Sequence, residues 1–263
     1  MTWHEQLERL LKWSAAHLPA AHTVTIHLGI GAAFSLFFPW LLARAWRRAR
    51  LSGQDLTPFD QRLLSAMHAR RTPALTTLAR LLAVFGSPPL MTVLAGAGTM
   101  AGLFVRHFRG AAWTLPMAVV GAGLLIQGAK GIFQRPRPAL FSPLLAEHGY
   151  SFPSGHSLIA VVVYGLLGFF ALHAFDLDAW APVVGLVTLS LISLIGLSRV
   201  YVGVHYPSDV LAGWAGGLPW LAACLWLHEA LTRHWFGAGE PVLHVHLAVA
   251  LGSAVTDLPA FFA

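Results

Sequence analysis

The chain has 263 residues, of which 56% are hydrophobic and only 11% are charged. An average soluble domain has roughly 25% charged residues, so the composition excludes an ordinary water-soluble enzyme and predicts an integral membrane protein. The formal charge of +6 suits anionic lipid head groups or an anionic substrate, and since no nucleic-acid-binding motif accompanies it, no nucleic-acid partner is expected.

Long uncharged runs follow one another along the chain, each close to the ~20 residues that a helix needs to cross a bilayer. They predict an all-α integral membrane bundle of six spans in one domain, 23–230. Residues 1–22 are interpreted as an amphipathic N-terminal segment without a cleavable signal peptide, and 231–263 as a C-terminal extension of open role. The six runs are 23–43, 81–105, 110–129, 157–175, 179–198 and 210–228.

An amphipathic helix is predicted between the first two spans. Thr57 followed by Pro58 is typical of a helix start, because a capping side chain there precedes a proline that lacks the N–H group. Apolar residues then recur every fourth position from Phe59, with basic residues elsewhere around the helix. We interpret 58–71 as a helix that lies in the membrane interface rather than crossing it.

A break interrupts the second apolar run. Gly86-Ser87-Pro88-Pro89 combines residues that end a helix and start the next one, so the second full span is expected over 88–105.

Ionisable residues concentrate in three short strings at the ends of the later spans. Ionisable side chains are expensive next to lipid, so such a concentration predicts a functional site. The strings are Lys130-x6-Arg137-Pro138, Pro153-Ser154-Gly155-His156 and Ser198-Arg199-x5-His205-x3-Asp209.

The order of the spans brings these strings to one side of the membrane. The first string ends the third span, the second opens the fourth, and the third joins the fifth to the sixth. Because the fourth and fifth spans form a hairpin, the chain returns to the face that it left. The three strings are therefore expected to meet in one pocket.

Five residues of the strings have the chemistry of a phosphate-binding pocket. Arg137 and Arg199 offer planar forks of N–H donors that match phosphate oxygens, and Lys130 adds a point charge. Ser154 and Gly155 precede a helix start, where backbone N–H groups and the helix dipole favour an anion.

The remaining residues supply a nucleophile and an acid. His205 precedes Asp209 by four residues, and a carboxylate on one ring nitrogen fixes the tautomer and leaves the other nitrogen free to attack phosphorus. His156, on the first turn of the fourth span, can donate a proton. No carboxylate cluster accompanies the strings, so we expect no metal ion and no other cofactor.

The three strings resemble the three signatures of the type-2 phosphatidic acid phosphatase superfamily, with each signature position filled over about residues 75–230. The resemblance implies a six-helix membrane phosphatase that works through a phosphohistidine. His205 would then be the nucleophile, Asp209 its orienting group and His156 the acid for the leaving group. The residues that would hold the phosphate are Lys130, Arg137, Ser154, Gly155 and Arg199.

Other residues with reactive side chains are interpreted more simply. Arg135 is adjacent to the first string but outside it, so we expect it to be solvated or to contact lipid phosphate. His244 and His246 lack a third partner and are assigned a surface or packing role. The single cysteine, Cys224, is interpreted as a small packing residue.

The sequence therefore predicts a metal-independent phosphatase of a lipid phosphate or diphosphate. Undecaprenyl diphosphate, phosphatidic acid and phosphatidylglycerol phosphate are all candidate substrates, and membrane lipids are the expected surroundings. Two alternatives stay open: a lipid phosphotransferase on the same scaffold, and a non-catalytic protein that binds or moves lipid. The oligomeric state is open as well.

Two observations give opposite predictions for the side of the membrane on which the pocket lies. Basic residues are more numerous on the predicted pocket side, which favours the cytoplasmic face. The resemblance implies the extracytoplasmic face of a bacterial inner membrane, and we adopt that location.

Overall fold

The computed structural model describes a helical protein. The described residues are 29–37, 39–41, 43–44, 47, 57–105, 109–175 and 178–236, and none of them lies in a β-strand. The all-α prediction is confirmed for this part of the chain. The described residues of 29–47 are helical, and the later helices are α1 Pro58–Ala69, α2 Pro73–Phe85, α3 Pro88–Phe104, α4 Ala111–Phe133, α5 Gly155–Ala174, α6 Ala181–Tyr201 and α7 Pro207–Phe236.

The chain divides into two compact units. One is Leu28–Cys224, which contains α1 to α6 and most of α7. The other joins Met1–His27 to Leu225–Ala263, and of this unit the structure describes the end of α7. The predicted N-terminal segment 1–22 lies outside the described residues, as do residues 237–263 with His244 and His246.

Four described helices are long and apolar enough to cross a membrane: α4, α5, α6 and, in α7, Pro207–Glu229. The helices α2 and α3 together form a fifth candidate span that is bent by 47° at their junction. The integral membrane character is therefore confirmed. The predicted first span, 23–43, lies partly outside the described residues, and the number of six spans stays a prediction.

The predicted helix α1 is present, and the structure shows which of its residues are buried. The Thr57 hydroxyl accepts a hydrogen bond from the Asp60 N–H at 3.1 Å, and Pro58 occupies the first turn, as the sequence indicates. Asp60 and Leu64 are the buried residues of α1, whereas Phe59 is 49% exposed. Asp60 is buried because it takes part in a polar network, described below. The interfacial position of α1 stays a prediction.

The centre of the fold is α5. It packs against α3, α4 and α6, and its residues 157–163 are all buried. Because α5 lies between so many neighbours, its N-terminus is held in a fixed place. Leu124 and Leu186, on the outer sides of α4 and α6, are 71% and 66% exposed, as expected of side chains that face lipid.

Close contacts between α7 and its neighbours fix the start of α7. A Cβ atom at Gly213 would lie 2.6 Å from the Ser154 carbonyl oxygen and 2.8 Å from the Ser157 Cβ. Only glycine permits this approach of α7 to the N-terminus of α5. The Trp220 indole also donates a hydrogen bond to the Ala118 carbonyl oxygen at 3.0 Å, which ties α7 to α4.

Candidate active site

Four helix ends converge at one face of Leu28–Cys224. The end of α4, the start of α5, the end of α6 and the start of α7 are joined by hydrogen bonds between segments far apart in sequence. The Ser154 N–H donates to the Asp209 carbonyl oxygen at 3.0 Å, and Arg137 Nη1 donates to the Val204 carbonyl oxygen at 2.9 Å. The structure therefore brings the three strings together, as the order of spans predicts.

His205 and Asp209 form a buried pair at the start of α7. The imidazole is 1% exposed and the carboxylate is fully buried. His205 Nδ1 lies 3.4 Å from Asp209 Oδ2, and the Tyr206 N–H donates to the same oxygen at 2.9 Å. Arg137 Nη1 lies 3.4 Å from the other ring nitrogen, Nε2. The two nitrogens thus face different surroundings, one a carboxylate and the other the cationic pocket.

Burial lowers the pKa of His205 to about 4. The hydrogen bond and the negative charge of Asp209 raise this pKa, while the positive charges of Arg199 and Arg137 lower it. Together, burial and these charges keep the imidazole neutral above about pH 5. With a proton on Nδ1 toward Asp209, the lone pair of Nε2 is directed to the pocket and available as a nucleophile.

The two arginines of the pocket have different surroundings. Arg137 donates from Nε to the Gly149 carbonyl oxygen and from Nη2 to that of His148, both at 3.1 Å. Arg199 is 1% exposed, and no described residue accepts a hydrogen bond from its Nε. Arg199 therefore retains an N–H donor for an anion in the pocket.

Glu147 is a pocket residue that sequence reasoning missed. Its carboxylate lies between the two arginines, with Oε2 3.0 Å from Arg137 Nη2 and Oε1 bonded to Arg199 Nη2. Oε2 is also 4.0 Å from His205 Nε2. A carboxylate thus occupies the position in which these cations would hold a phosphate. Glu147 belongs to a loop without a motif, so no sequence signal marks it.

Lys130 and His156 also interact with the charged groups of the pocket. Lys130, in the last turn of α4, interacts electrostatically with Arg137, Asp209 and Arg199. His156, in the first turn of α5, interacts in the same way with His205. The imidazole of His156 is therefore within range of the atoms around the proposed nucleophile.

The Ser154 side chain stabilises the start of α5. Its hydroxyl is fully buried and serves as the cap of α5, accepting hydrogen bonds from the Ser157 N–H at 3.4 Å and hydroxyl at 2.9 Å. Its own N–H is bonded to Asp209. The first-turn N–H groups of Gly155 and His156 have no acceptor within the helix, so these two are the better candidates for a backbone contact with phosphate.

The expectation for Arg135 is wrong. The side chain is not solvated but completely buried, and its guanidinium lies 4.0 Å from the centre of the Tyr206 ring. Arg135 Nη1 donates to Asp209 Oδ1 at 2.7 Å, and Nη2 donates to Asp60 Oδ2 at 2.8 Å. The reason is the backbone after α4, where Gln134 adopts a left-handed conformation with φ of 47°. That turn directs Arg135 inward.

Asp60 was not recognised from sequence either. It is fully buried and accepts hydrogen bonds from Ser208, from the N–H at 2.9 Å and from the hydroxyl at 2.8 Å. An acidic residue in the first turn of a helix is ordinarily explained by the helix dipole. Its partners lie 75 and 148 positions away in the chain, so local pattern could not reveal them.

Within the part of the chain that the structure describes, the remaining reactive residues do not form a second centre. Among the described residues, no group of three or more His, Cys, Asp or Glu side chains is arranged to hold a metal ion. Cys224 is buried within α7 as a free thiol, in agreement with its interpretation as a packing residue.

The sequence matches a known family model and is similar to known proteins. The PAP2 superfamily model matches residues 111–233, a range that includes all three strings but not Asp60. Phosphatidylglycerophosphatase B of Bacillus subtilis is 34% identical over 137 residues, which are 43% of this chain and 67% of that protein.

Two further matches extend the comparison. Undecaprenyl-diphosphatase of Sulfolobus acidocaldarius is 35% identical over 120 residues, 44% of this chain and 54% of the relative, so the chain spans about half of that protein. The crystal structure of a transmembrane PAP2-type phosphatidylglycerolphosphate phosphatase from Bacillus subtilis superposes with a TM-score of 0.66 at 28% identity, covering 78% of this chain and 97% of the other.

Proposed function

Because the chain belongs to the PAP2 superfamily, we propose that it hydrolyses a lipid phosphomonoester or diphosphate through a phosphohistidine and without a metal ion. The observation that carries this proposal is the environment of His205. One ring nitrogen faces a buried carboxylate and the other faces a guanidinium in a pocket of three cations. Such an arrangement suits nucleophilic attack on phosphorus.

The first half of the reaction forms the phosphohistidine. His205 Nε2 attacks phosphorus, an N–P bond forms, and the bond from phosphorus to the lipid oxygen breaks. His156 gives its proton to that oxygen, and Asp209 stabilises the positive charge that develops on the imidazole.

The second half releases phosphate. Water gives a proton to His156 as its oxygen attacks phosphorus, the N–P bond breaks, and His205 returns to its neutral form. Throughout, the equatorial phosphate oxygens are stabilised by positive charge and backbone N–H groups. The residues proposed for this role are Lys130, Arg137, Ser154, Gly155 and Arg199, with Ser154 acting through its cap of α5.

The proposed substrate is an amphiphile, since the pocket lies at the ends of membrane-spanning helices. A phosphate can enter there while the lipid tails stay in the bilayer. The names of the relatives favour phosphatidylglycerol phosphate and undecaprenyl diphosphate, and phosphatidic acid is the third candidate. We place the protein in a bacterial inner membrane, with the pocket on the extracytoplasmic face.

The test is phosphate release from these three lipids by the purified protein and by His205→Ala. We expect release from at least one lipid, persisting in EDTA, and a loss of at least about 10³-fold in the variant, as for other nucleophile deletions. Undiminished release by His205→Ala would refute the mechanism. Transfer of the phosphoryl group to an added alcohol instead of water would favour a phosphotransferase.

A further inference from the structure

A chain of buried charges connects α1 to the imidazole of His205. The guanidinium of Arg135 bridges two carboxylates, Asp209 on one side at 2.7 Å and Asp60 on the other at 2.8 Å. All three side chains are buried, with at most 1% exposure. One buried cation therefore holds two carboxylates that come from distant parts of the sequence.

Ser208 fixes the far end of this network. Its N–H and hydroxyl both donate to Asp60, at 2.9 Å and 2.8 Å, and its hydroxyl oxygen accepts from Arg135 at 2.7 Å. Asp60 is thus held by three hydrogen bonds, two of them from the residue next to Asp209. A carboxylate fastened in this way sets the place and the angle of the guanidinium fork.

We propose that Asp60 is a positioning residue, which acts through Arg135 to direct the carboxylate of Asp209 toward His205 Nδ1. This inference rests on the proposed function of His205 as nucleophile. The contact of 3.4 Å between His205 and Asp209 is too long to fix the carboxylate by itself. Arg135 at 2.7 Å and the Tyr206 N–H at 2.9 Å instead hold the two oxygens of Asp209.

Asp60 also affects how much negative charge Asp209 retains. Because Arg135 is shared between two carboxylates, its charge does not neutralise Asp209 alone. Asp209 therefore remains a strong acceptor for the Nδ1 proton and can stabilise the positive imidazole that forms when Nε2 bonds to phosphorus. Without the charge of Asp60, Arg135 would pair with Asp209 alone and weaken this acceptor.

The competing explanation is that Asp60 only fastens α1. The same helix buries Leu64 against Val200, Tyr206 and Val210, so α1 also has an apolar attachment beside the site. A variant of Leu64 therefore weakens the docking of α1 but removes no charge and no hydrogen-bonding group of the network. This makes Leu64→Ala a matched control for Asp60.

The kinetic test compares Asp60→Asn with Leu64→Ala in the full-length protein in detergent, with phosphatidylglycerol phosphate as substrate. This substitution keeps the shape of the Asp60 side chain and removes its charge. We expect kcat of Asp60→Asn to fall by about 10- to 100-fold, as for other groups that orient a reacting side chain, with KM changed by less than about threefold. Leu64→Ala is expected to lower Tm and to keep kcat within about threefold. An unchanged kcat in Asp60→Asn, or an equal loss in Leu64→Ala at the same loss of Tm, would overturn the proposal.

A double variant tests whether Asp60 acts through Asp209. If it does, adding Asp60→Asn to Asp209→Asn costs no further activity, because the group that it orients is already lost. Independent, additive losses would contradict the proposal. Should Asp60→Asn fail to fold, Ser208→Ala removes the hydroxyl between Asp60 and Arg135 and is expected to show the same change in kcat without change in KM.

A measurement without substrate separates this inference from the proposed function. In protein labelled with 15N-histidine, the Nδ1–H signal of His205 is expected to shift in Asp60→Asn and to stay in place in Leu64→Ala. An unshifted signal in Asp60→Asn would overturn the positioning role. Absence of phosphate release by the wild-type protein from every lipid tested would refute the proposed function instead, and the NMR result would still stand.

Discussion

At the scale of single residues, the site depends on how burial and neighbouring charges divide the two nitrogens of His205. Asp209 faces Nδ1, while the cations of the pocket face Nε2. Positive neighbours on that side would repel an imidazolium but attract a phosphate. In the proposed function, the same cations would bind the substrate and would add to the effect of burial, which is the main reason that the imidazole is neutral.

The first prediction concerns the protonation of His205. Its pKa of about 4, lowered chiefly by burial, lies below the ordinary value of about 6.5. Between these two values the imidazole in the folded protein should therefore be neutral. We expect the 15N signals of His205, assigned by their loss in His205→Gln, to show the neutral form at pH 5.5. A midpoint near pH 6.5 would contradict this account.

The second prediction concerns Glu147, whose carboxylate lies between Arg137 and Arg199. If the pocket binds phosphate as proposed, an incoming phosphate must replace this carboxylate, so the two anions would compete. Glu147→Gln removes the competing charge and is expected to lower the inhibition constant of inorganic phosphate or orthovanadate by about two- to fivefold, since the pair is partly exposed. Glu147→Asp, which keeps the charge, is the control. Equal inhibition constants in wild type and Glu147→Gln would exclude this competition.

At the scale of elements, the starts of helices could be predicted from the sequence, whereas contacts between residues far apart in the sequence could not. Thr57 and Pro58 mark the start of α1, and Pro88 marks that of α3, because caps and prolines act within one turn. The partners of Asp60 and Arg135 depend instead on how α1, the turn after α4 and the start of α7 come together. No residue spacing in the sequence indicates that these three segments lie in contact.

The third prediction tests the contact between α5 and α7. Gly213→Ala would force a Cβ atom against the carbonyl oxygen of Ser154 and push the start of α7 away from α5. We expect lower Tm and a loss of activity of about tenfold or more, because His205 and Asp209 flank that start. The matched control is Gly123→Ala in α4, where no atom lies within 4 Å of the new Cβ. Equal effects of the two substitutions would show that the close approach is unimportant.

At the scale of the whole molecule, the three strings allowed the family and the convergence of helix ends to be predicted from sequence. An even number of spans between the strings returns the chain to the same face, so topology alone brings the strings together. The prediction of a PAP2 phosphatase is confirmed by the matching family model and the relatives. The burial of Arg135 and the position of Glu147 could not be predicted, because both depend on three-dimensional packing of loops.

The fourth prediction concerns the membrane face of the pocket. The single cysteine, Cys224, is buried, so a new cysteine can be labelled against a low background. Ala146 is exposed and precedes Glu147 of the pocket. Ala146→Cys is expected to react with a membrane-impermeant maleimide in intact cells. Ala179→Cys, at the opposite end of the α5–α6 hairpin, should react only after permeabilisation. The reverse pattern would place the pocket on the cytoplasmic face.

The proposed phosphohistidine can be trapped and located on the protein. The protein is mixed with phosphatidylglycerol phosphate that carries a 32P label on its terminal phosphate, and the reaction is stopped with alkali within milliseconds. If His205 is the nucleophile, we expect label bound to the wild-type protein, located on His205, lost in acid and absent from His205→Gln. Rapid phosphate release without any labelled protein, or equal labelling of His205→Gln, would contradict it.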